Sequence, residues 1–314
     1  MGCCEHWDRL FGGFCVTTRP TARVGASGCS PFPCLPSHIP AANVSSVPQR
    51  SPLRYPGGKT WLIPHVRQWL MPHAPAPVVI EPFAGGGTVS LTAVVEGLAH
   101  RALMVDLDRD ISAFWRSALS HTDALINRIL EFEPTPESLQ ALDGPPAGVV
   151  DHGFRTLVLN RTRWGGVMAP GASRIKIGEN GRGLWSRWYP STLVERLRVI
   201  GDHADRLSFY EGDGTGLVET LCGMKDARVF IDTPYTAGHK RAGLRLYAHN
   251  DIDYPRIFKA LQRGTADFLM THDHSPEILA LADECGFAVA SVEIKTAHHA
   301  RTDELLVTRE PLFV

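Results

Sequence analysis

The sequence Val78-Val79-Ile80-Glu81-Pro82-Phe83-Ala84-Gly85-Gly86-Gly87-Thr88 decides the fold expected for this 314-residue chain. It opens with three β-branched apolar residues, which are typical of a strand buried on both faces of a sheet. Three glycines follow, and residues 88–95 have the composition of a helix that is just beginning. Glycines let a ligand approach the backbone, and a helix N-terminus offers free N–H groups to an anion. Strand, glycine turn and helix therefore predict the first unit of an α/β sheet of the nucleotide-binding type.

The glycine turn differs from the fingerprint of dinucleotide-binding domains. Glu81 and Pro82 stand between the strand and the glycines, and no G-x-G-x-x-G pattern is completed. This difference argues against a dehydrogenase. A carboxylate at the C-terminal end of a strand suits a ligand that carries positive charge, hydroxyl groups or amino groups. Glycine-rich turns of this kind also serve other ligands, so the stretch alone does not define the ligand.

Composition limits the possible partners of the chain. The formal net charge is −1, so a surface for nucleic acid must be local rather than global. No apolar run approaches the roughly 18 residues of a membrane span. The N-terminus also lacks the continuous hydrophobic region of a signal peptide. We therefore expect a soluble, cytoplasmic, monomeric protein with no membrane contact.

Residues 1–50 differ in texture from the rest of the chain. They are rich in Pro, Ser, Gly and Thr and lack sustained periodicity, which predicts an irregular N-terminal extension. Five of the seven cysteines lie here, without a C-x-x-C pair. Reduced thiols are therefore expected in preference to a zinc or disulfide module.

Strand and helix patterns alternate through most of the remaining sequence. A second strand, 102–106, ends at Asp106, and the alternation then breaks down between 125 and 205 before it resumes. Further strands are predicted at 207–211, 228–232, 268–271, 287–294 and 304–308, with helices at 217–224, 254–262 and 275–285. The last two strands have no helix between them. This order predicts a mainly parallel seven-stranded sheet with an antiparallel pair at one edge.

The interrupting region, 125–205, is basic and aromatic. Its cations include Arg161, Arg163, Arg174, Lys176 and Arg187, with Trp164, Trp185, Trp188 and Tyr189 among them. Cations suit phosphates and rings suit base stacking, so the pattern is typical of a nucleic-acid surface. A solvated arginine-rich face beside a few core tryptophans gives the same pattern. Both interpretations stay open at this point.

Acidic residues end several of the predicted strands. Asp106 is placed to accept hydrogen bonds from ribose hydroxyls or, alternatively, to cap the helix that follows. Asp232-Thr233-Pro234-Tyr235 follows a buried strand at the same edge of the sheet. A carboxylate, a carbonyl and an aromatic ring there suit a planar base with an amino group: Asp232 and the Thr233 carbonyl accept its two N–H bonds, and Tyr235 stacks on its face.

These residues resemble those of the Dam-type DNA adenine methylases, which are S-adenosylmethionine-dependent N6-adenine methyltransferases. Six blocks match in the order of the family: Arg54 to Lys59, Glu81 to Gly87, Val105-Asp106, Leu159 to Arg161 followed by Gly165-Gly166, Asp232 to Tyr235, and Glu304 to Val307. Single blocks of this kind occur in many proteins, whereas the ordered set is specific. The resemblance covers about residues 51–314.

The resemblance implies a role for each of these positions. Cofactor-binding residues would be Tyr55, Lys59, Glu81, Phe83, Gly85, Gly86, Gly87, Asp106, Asp213 and Asp232. Catalytic residues would be Asp232, Thr233, Pro234 and Tyr235. DNA-binding residues would be Arg161, Arg163, Arg174, Lys176 and Arg187. The cofactor would be S-adenosylmethionine and the partner duplex DNA, with the target adenine flipped out of the helix and no metal required.

The resemblance also implies a division of the chain into parts. Residues 51–124 would form the first part of a Rossmann-like methyltransferase domain with the cofactor loop, and residues 206–314 the second part with the catalytic motif. Residues 125–205 would be an inserted, mostly helical target-recognition region. Restriction–modification is one context in which the family acts. Methylation of the cytosine amino group, methylation of RNA, or DNA binding without turnover are the alternatives.

Two motifs depart from a simple match. Thr233 stands where the family usually has the first proline of Asp-Pro-Pro-Tyr, so the fixed φ of proline is lost although a carbonyl is kept. We expect activity to survive, with a less preorganised turn. The second motif, Thr271-His272-Asp273-His274, contains metal-ligand residue types at a strand end. It has no matching carboxylate cluster, so we expect a structural or substrate-lining loop.

Overall fold

Eight strands form one sheet in the computed structural model, which describes residues 37–39, 42–54, 58–168, 172–234, 252–295 and 301–312. The strands are β1 (Ser37–Ile39), β2 (Ala76–Glu81), β3 (Ala99–Asp106), β4 (Leu207–Glu211), β5 (Ala227–Asp232), β6 (Asp267–Asp273), β7 (Ala288–Lys295) and β8 (Arg301–Thr308). Their order across the sheet is β1-β7-β8-β6-β5-β2-β3-β4. Strand β8 is antiparallel to β6 and β7, and the other neighbouring pairs are parallel. The predicted mainly parallel sheet with an antiparallel hairpin towards one edge is confirmed.

The predicted number of strands was wrong: seven were expected and the sheet has eight. Ser37–Ile39, within the segment predicted to be irregular, pairs in parallel with β7 and takes the edge position outside the hairpin. Ile39 is buried whereas His38 is exposed, so this short strand alternates as an edge strand should. It covers backbone groups of β7 that would otherwise face solvent.

Ten α-helices connect the described strands. They are α1 (Ile63–Leu70), α2 (Thr88–Val95), α3 (Arg109–Ser120), α4 (Thr122–Glu131), α5 (Pro136–Ala141), α6 (Val149–Thr162), α7 (Pro190–Gly201), α8 (Gly214–Leu221), α9 (Tyr254–Arg263) and α10 (Pro276–Cys285). Pro64 sits in the first turn of α1, where its missing N–H costs no helical hydrogen bond.

The order of the strands places a crevice at the centre of the sheet. From β2 the chain moves outward through β3 and β4, and it then returns to β5 on the opposite side of β2. The chain therefore leaves the parallel neighbours β2 and β5 towards opposite edges of the sheet, to β3 from β2 and to β6 from β5. Ligands of open parallel sheets bind at such a switch point, beyond the carboxyl ends of the strands.

The helices of the interrupting region share a core with the sheet. Leu125, Leu157, Trp188 and Leu197 belong to the same buried apolar cluster as Val79 of β2. The region was predicted to be mostly helical; α5 to α7 lie within it, and α4 begins at Thr122, just before it. Its helices are therefore held in place by the same apolar packing that holds the sheet.

No helix in the described part of the chain combines the length and the apolar character that crossing a bilayer requires.

Candidate active site

A cavity of about 830 Å³ opens where β2, β3 and β5 end. Every described residue of the predicted cofactor set lines it: Lys59, Glu81, Phe83, Gly85, Gly86, Gly87, Asp106, Asp213 and Asp232. Two predicted residues, Tyr55 and Tyr235, lie outside the described residues. Lys59 and Asp232, which are 173 positions apart in the sequence, thus meet at one edge of the sheet.

The glycine loop is fitted closely between β2 and the helices. Gly85 and Gly87 have φ values of 45° and 60°, which favour glycine. A Cβ atom on Gly87 would lie 2.7 Å from Sδ of Met104 and 2.7 Å from Cζ2 of Trp115. The Trp115 indole donates to the Gly85 carbonyl at 2.9 Å. Left-handed backbone and close packing both demand glycine at position 87.

Asp106 fixes the same loop from β3. Its carboxylate accepts hydrogen bonds from the backbone N–H of Gly85 at 2.8 Å and of Asp108 at 2.9 Å. The alternative role as helix cap belongs to Asp108, whose side chain accepts from the N–H groups of Asp110 and Ile111. Asp106 itself lines the cavity, as its predicted role requires.

Glu81 holds the start of α2. Its Oε2 accepts the backbone N–H of Ser90 at 2.9 Å, in a helix whose N-cap residue is a glycine without a side-chain cap. The carboxylate is buried, and burial raises its pKa to about 7. Hydrogen bonds from Ser90 oppose this rise, and the nearby charge of Asp232 adds to it.

The raised pKa of Glu81 predicts that stability falls as pH increases. Between the unfolded value near 4.5 and the folded value of about 7, the unfolded chain releases the proton and the folded chain keeps it. The free energy of unfolding therefore decreases across this window, by roughly 3 kcal/mol at most. Glu81→Gln keeps an acceptor for Ser90 and should remove this decrease, so the variant gains stability relative to the wild type above pH 7. Urea unfolding at pH 5 and pH 8 measures the difference, and equal pH dependence in both proteins would contradict it.

Asp232 is the second anchor of the site. Its Oδ1 lies 3.0 Å from Nζ of Lys59 and accepts a hydrogen bond from the Thr271 hydroxyl at 2.9 Å. Lys59 is buried and also lies 3.9 Å from Oε2 of Glu304. The cation and the hydroxyl hold the Asp232 carboxylate at the cavity wall.

The residues after Asp232 are tied to α9 and β6. Thr233 is buried, and its hydroxyl lies 3.1 Å from that of Tyr254. The Tyr254 hydroxyl donates to the Pro234 carbonyl at 3.1 Å and lies 2.9 Å from Nε2 of His272. Thr271 contacts the turn Asp232-Thr233-Pro234 directly and His272 contacts it through Tyr254. No cluster that could hold a metal ion is found among the described residues. The sequence analysis did not assign Thr271, Glu304 or Tyr254 to the cofactor-binding or catalytic residues, although Thr271 belongs to the strand-end motif and Glu304 to a matched block.

Asp213 follows β4 and lines the cavity from the other side. Both of its carboxylate oxygens cap α8, by accepting the N–H groups of Thr215 at 2.9 Å and Gly216 at 3.0 Å. Gly214 packs against Phe83, since a Cβ atom there would lie 2.8 Å from the phenyl ring. Asp213 and Phe83 therefore stand next to one another in the wall.

Four arginines, Arg54, Arg161, Arg187 and Arg196, form a group in the cavity lining, and a fifth lining residue, Arg50, pairs with Glu96 at 2.9 Å. Burial, and then the charge of the other three guanidinium groups, lowers the pKa of Arg161 to about 9, which leaves it charged at neutral pH. Arg161 donates to the Pro52 carbonyl and Arg196 to the Ser51 carbonyl at 2.8 Å. The repulsion within this group would be relieved by an anion.

The predicted DNA-binding residues divide into two sets. Arg161 and Arg187 line the cavity, whereas the other three do not. Arg163 donates to the Met168 carbonyl, Arg174 pairs with Asp143 at 3.1 Å, and Lys176 is exposed. Arg54 and Arg196 are cavity residues that the sequence analysis did not select. Arg54 is part of a matched block and is held by Asn160, whose side chain bonds both its backbone N–H and its carbonyl.

The tryptophans of this region divide between the core and the surface. Trp188 is buried and packs edge-on against Phe132 and Phe154. In contrast, Trp164 is 68% exposed, and Trp185 is exposed as well. The region therefore contributes one ring to the core and presents others to solvent.

The residues of the cavity wall fit S-adenosylmethionine. Five carboxylates, those of Glu81, Asp106, Asp108, Asp213 and Asp232, line a cavity whose volume lies within the range of about 300–1,000 Å³ typical of small-molecule sites. They complement a ligand that has a cationic sulfonium, an amino group and ribose hydroxyls. The glycine loop brings backbone N–H groups to the same wall.

The fold and the cavity are those of a Rossmann-like methyltransferase, and comparison with known families is consistent with this class. Residues 55–140 match the model of the D12 class N6 adenine-specific DNA methyltransferases. The match confirms the predicted Dam-type family for this part of the chain, and with it S-adenosylmethionine as methyl donor. It includes the cofactor loop and Asp106 and ends before Asp232.

Solved structures with a similar fold are more distant. The rRNA methyltransferase aviRa from Streptomyces viridochromogenes is 15% identical, with 82% of this chain and 88% of that chain covered and a TM-score of 0.38. The precorrin-6y C5,15-methyltransferase from Geobacter metallireducens is 11% identical, with 86% and 93% covered and a TM-score of 0.36. Such low values carry no argument about the substrate. No curated protein matches the chain significantly in sequence.

Proposed function

We propose that the protein transfers a methyl group from S-adenosylmethionine to the N6 amino group of adenine in duplex DNA. The observation that carries this proposal is the Asp232 carboxylate, held by Lys59 and Thr271 at the wall of the acidic cavity. The family match over residues 55–140 supports the choice of base and of DNA.

The residues of the turn act on the amino group. Its lone pair is delocalised into the adenine ring, which makes it a poor nucleophile. Asp232 accepts one N–H bond and the Thr233 carbonyl accepts the other, which favours a pyramidal nitrogen and stabilises the positive charge that develops there. Lys59, 3.0 Å away, orients the carboxylate. Tyr235, which lies outside the described residues, is proposed to stack on the base.

S-adenosylmethionine, when bound, supplies a methyl group already activated on a sulfonium. The contribution of the chain is therefore to bind, to orient and to exclude water. Lys59, Glu81 and Asp106 would hold the cofactor side of the cavity. In this arrangement Asp232 would stand between the bound cofactor and the target base.

Residues 125–205 are proposed to recognise the target. Arg54, Arg161, Arg187 and Arg196 form a cationic rim around the cavity, and this rim suits the phosphates on either side of a flipped nucleotide. Trp164, 68% exposed on the same region, suits stacking against bases. Exposed cations and rings support a nucleic-acid partner here in spite of the net charge of −1.

The test of the proposal identifies the methylated base. The protein is incubated with methyl-labelled S-adenosylmethionine and equal amounts of unmethylated duplex DNA and of RNA, and both are digested to nucleosides. Label is expected in N6-methyladenine from DNA. Label in N4-methylcytosine, or in RNA alone, would contradict the assignment. Cofactor binding without any label would instead favour a DNA-binding protein without turnover.

Neutralising Arg54 is expected to weaken DNA binding by a charge effect. With Arg54→Gln, the affinity for duplex DNA should fall about tenfold, and the slope of log affinity against log salt should lose about one unit, because one phosphate contact is lost. Fluorescence anisotropy at several salt concentrations measures both. Arg263→Gln, on the exposed end of α9 and outside the cavity, is the matched control. An unchanged slope for Arg54→Gln would remove this residue from the proposed rim.

A further inference from the structure

We propose that Tyr254 is a positioning residue for the turn Asp232-Thr233-Pro234 and that Thr233 acts through it. The inference rests on the proposed function, since the turn is taken to present the acceptors for the target amino group. Tyr254 does not line the cavity. Its effect on catalysis would therefore be exerted through the turn.

Three contacts converge on the Tyr254 hydroxyl. It lies 3.1 Å from the Thr233 hydroxyl, 3.1 Å from the Pro234 carbonyl oxygen and 2.9 Å from Nε2 of His272. Tyr254, Thr233 and His272 are all nearly or fully buried. The hydroxyl therefore joins the turn after β5 to the first residue of α9 and to the end of β6, away from water.

The direction of these hydrogen bonds follows from the groups involved. The Pro234 carbonyl can only accept, so the Tyr254 O–H donates towards it. Nδ1 of His272 lies 2.9 Å from the Asp273 carbonyl oxygen and 2.8 Å from its Oδ1, both acceptors, so Nδ1 carries the proton. With the proton on Nδ1 alone, Nε2 is a second acceptor beside the Pro234 carbonyl, so the one proton of the Tyr254 hydroxyl bonds one of these two acceptors at a time. The Thr233 hydroxyl accordingly donates to the Tyr254 oxygen.

This network supplies a constraint that the turn otherwise lacks. Thr233 has no ring to fix its φ, and only the following proline restricts it. Buried hydrogen bonds in a low-dielectric environment are strong and directional, and they hold both the side chain of Thr233 and the carbonyl of Pro234. The carbonyl of Thr233, between these two fixed points, is thereby oriented.

The central experiment is a double-mutant cycle of kinetic constants. Tyr254→Phe keeps the ring, whose edge packs on His272 at 5.0 Å, and removes only the hydroxyl. We expect kcat to fall about tenfold or more, with the cofactor Kd and the KM for DNA changed less than about twofold, because positioning acts on the reacting geometry. Thr233→Val should cause a similar fall, and the double variant no further loss. Tyr210→Phe, which removes a tyrosine hydroxyl outside the cavity, is the control.

Rescue by proline distinguishes positioning from general support of the fold. Introducing Thr233→Pro into Tyr254→Phe restores a fixed φ without the hydroxyl network. The kcat of the combined variant should therefore be at least threefold higher than that of Tyr254→Phe alone. A fall in kcat that is matched by an equal fall in cofactor affinity and is not rescued would overturn the proposal. An unchanged kcat in Tyr254→Phe would overturn it as well.

A second measurement separates this inference from the proposed function. Hydrogen exchange of peptides covering 229–234 requires no substrate. Faster exchange there in Tyr254→Phe, reversed by Thr233→Pro, supports the positioning network even if the wild type methylates no nucleic acid. Exchange that is unchanged in Tyr254→Phe would contradict the network, whatever the activity.

Discussion

Replacing Asp232 by asparagine is expected to reduce methyl transfer about 10²- to 10³-fold. In the proposed reaction, the wild-type carboxylate accepts an N–H bond from the target amino group and stabilises the positive charge that develops on its nitrogen. An amide of the same shape keeps one acceptor atom but lacks the charge. Single-turnover transfer of labelled methyl groups to duplex DNA measures the effect.

The asparagine variant also disturbs an ion pair at the cavity wall. Nζ of Lys59 lies 3.0 Å from Asp232, whose side chain is 24% exposed, and 3.9 Å from the buried Glu304, so the substitution removes the nearer of these two carboxylates. Removing one partner of a fully buried pair costs on the order of 3–5 kcal/mol, and the partial exposure of Asp232 places the expected cost below this range. The double variant Lys59→Met, Asp232→Asn removes both charges of the pair but also the cation beside Glu304, so it should regain only part of the stability and none of the activity. Activity restored in the double variant would show that the loss had come from folding.

Replacing Gly87 by alanine is expected to damage the cofactor loop. The left-handed backbone at φ 60° costs about 1 kcal/mol for alanine, and the contacts of 2.7 Å with Met104 and Trp115 add the overpacking cost of about 1–3 kcal/mol. The free energy of unfolding should therefore fall by about 2–4 kcal/mol. The affinity for S-adenosylmethionine should fall as well, because the loop lines the cavity.

Gly97→Ala is the matched control for Gly87→Ala. Gly97 has a similar φ of 69°, but no atom lies within 4 Å of a Cβ placed there. The free energy of unfolding of Gly97→Ala should therefore fall only by the backbone cost of about 1 kcal/mol, and its cofactor affinity should be unchanged. Chemical unfolding and calorimetric titration with the cofactor measure both quantities. Equal effects of the two substitutions would show that steric fit at Gly87 is unimportant.

The sheet was predictable because its strands are locally distinctive. Val78 to Ile80 and Val229 to Ile231 are short apolar runs, each followed by an acidic residue and a turn, and burial on both faces requires such runs. Ser37–Ile39 was missed since three residues are too few to show a period. That strand exists because β7 offers it an edge, which is a tertiary interaction.

The acidic wall of the site was predictable from the topology. Asp106 and Asp232 end parallel strands, and such ends meet at one edge of the sheet. The supporting contacts were not predictable in this way. Thr271, Glu304 and Tyr254 approach the turn only after β6, β8 and α9 are packed, and no spacing in the sequence records those distances.

The arginines show the same limit. Arg161 and Arg174 look alike in a basic stretch, yet one is buried at the cavity and the other pairs with Asp143 on the surface. Their positions depend on how α6 and the following loops pack, and the charge pattern of the sequence carries no information on this packing. Arg54 illustrates the converse, since its place in a matched block was visible whereas its position in the cationic rim was not.

The most direct measurement is the modified-base content of DNA in a bacterium that lacks adenine methylation of its own. Because a genome offers every short sequence, no recognition site has to be known in advance. Mass spectrometry of nucleosides from cells that produce the wild type should show N6-methyladenine, and cells that produce Asp232→Asn at the same level should show essentially none. Absence of N6-methyladenine in the presence of folded, cofactor-binding wild-type protein, or N4-methylcytosine in its place, would contradict the proposed reaction.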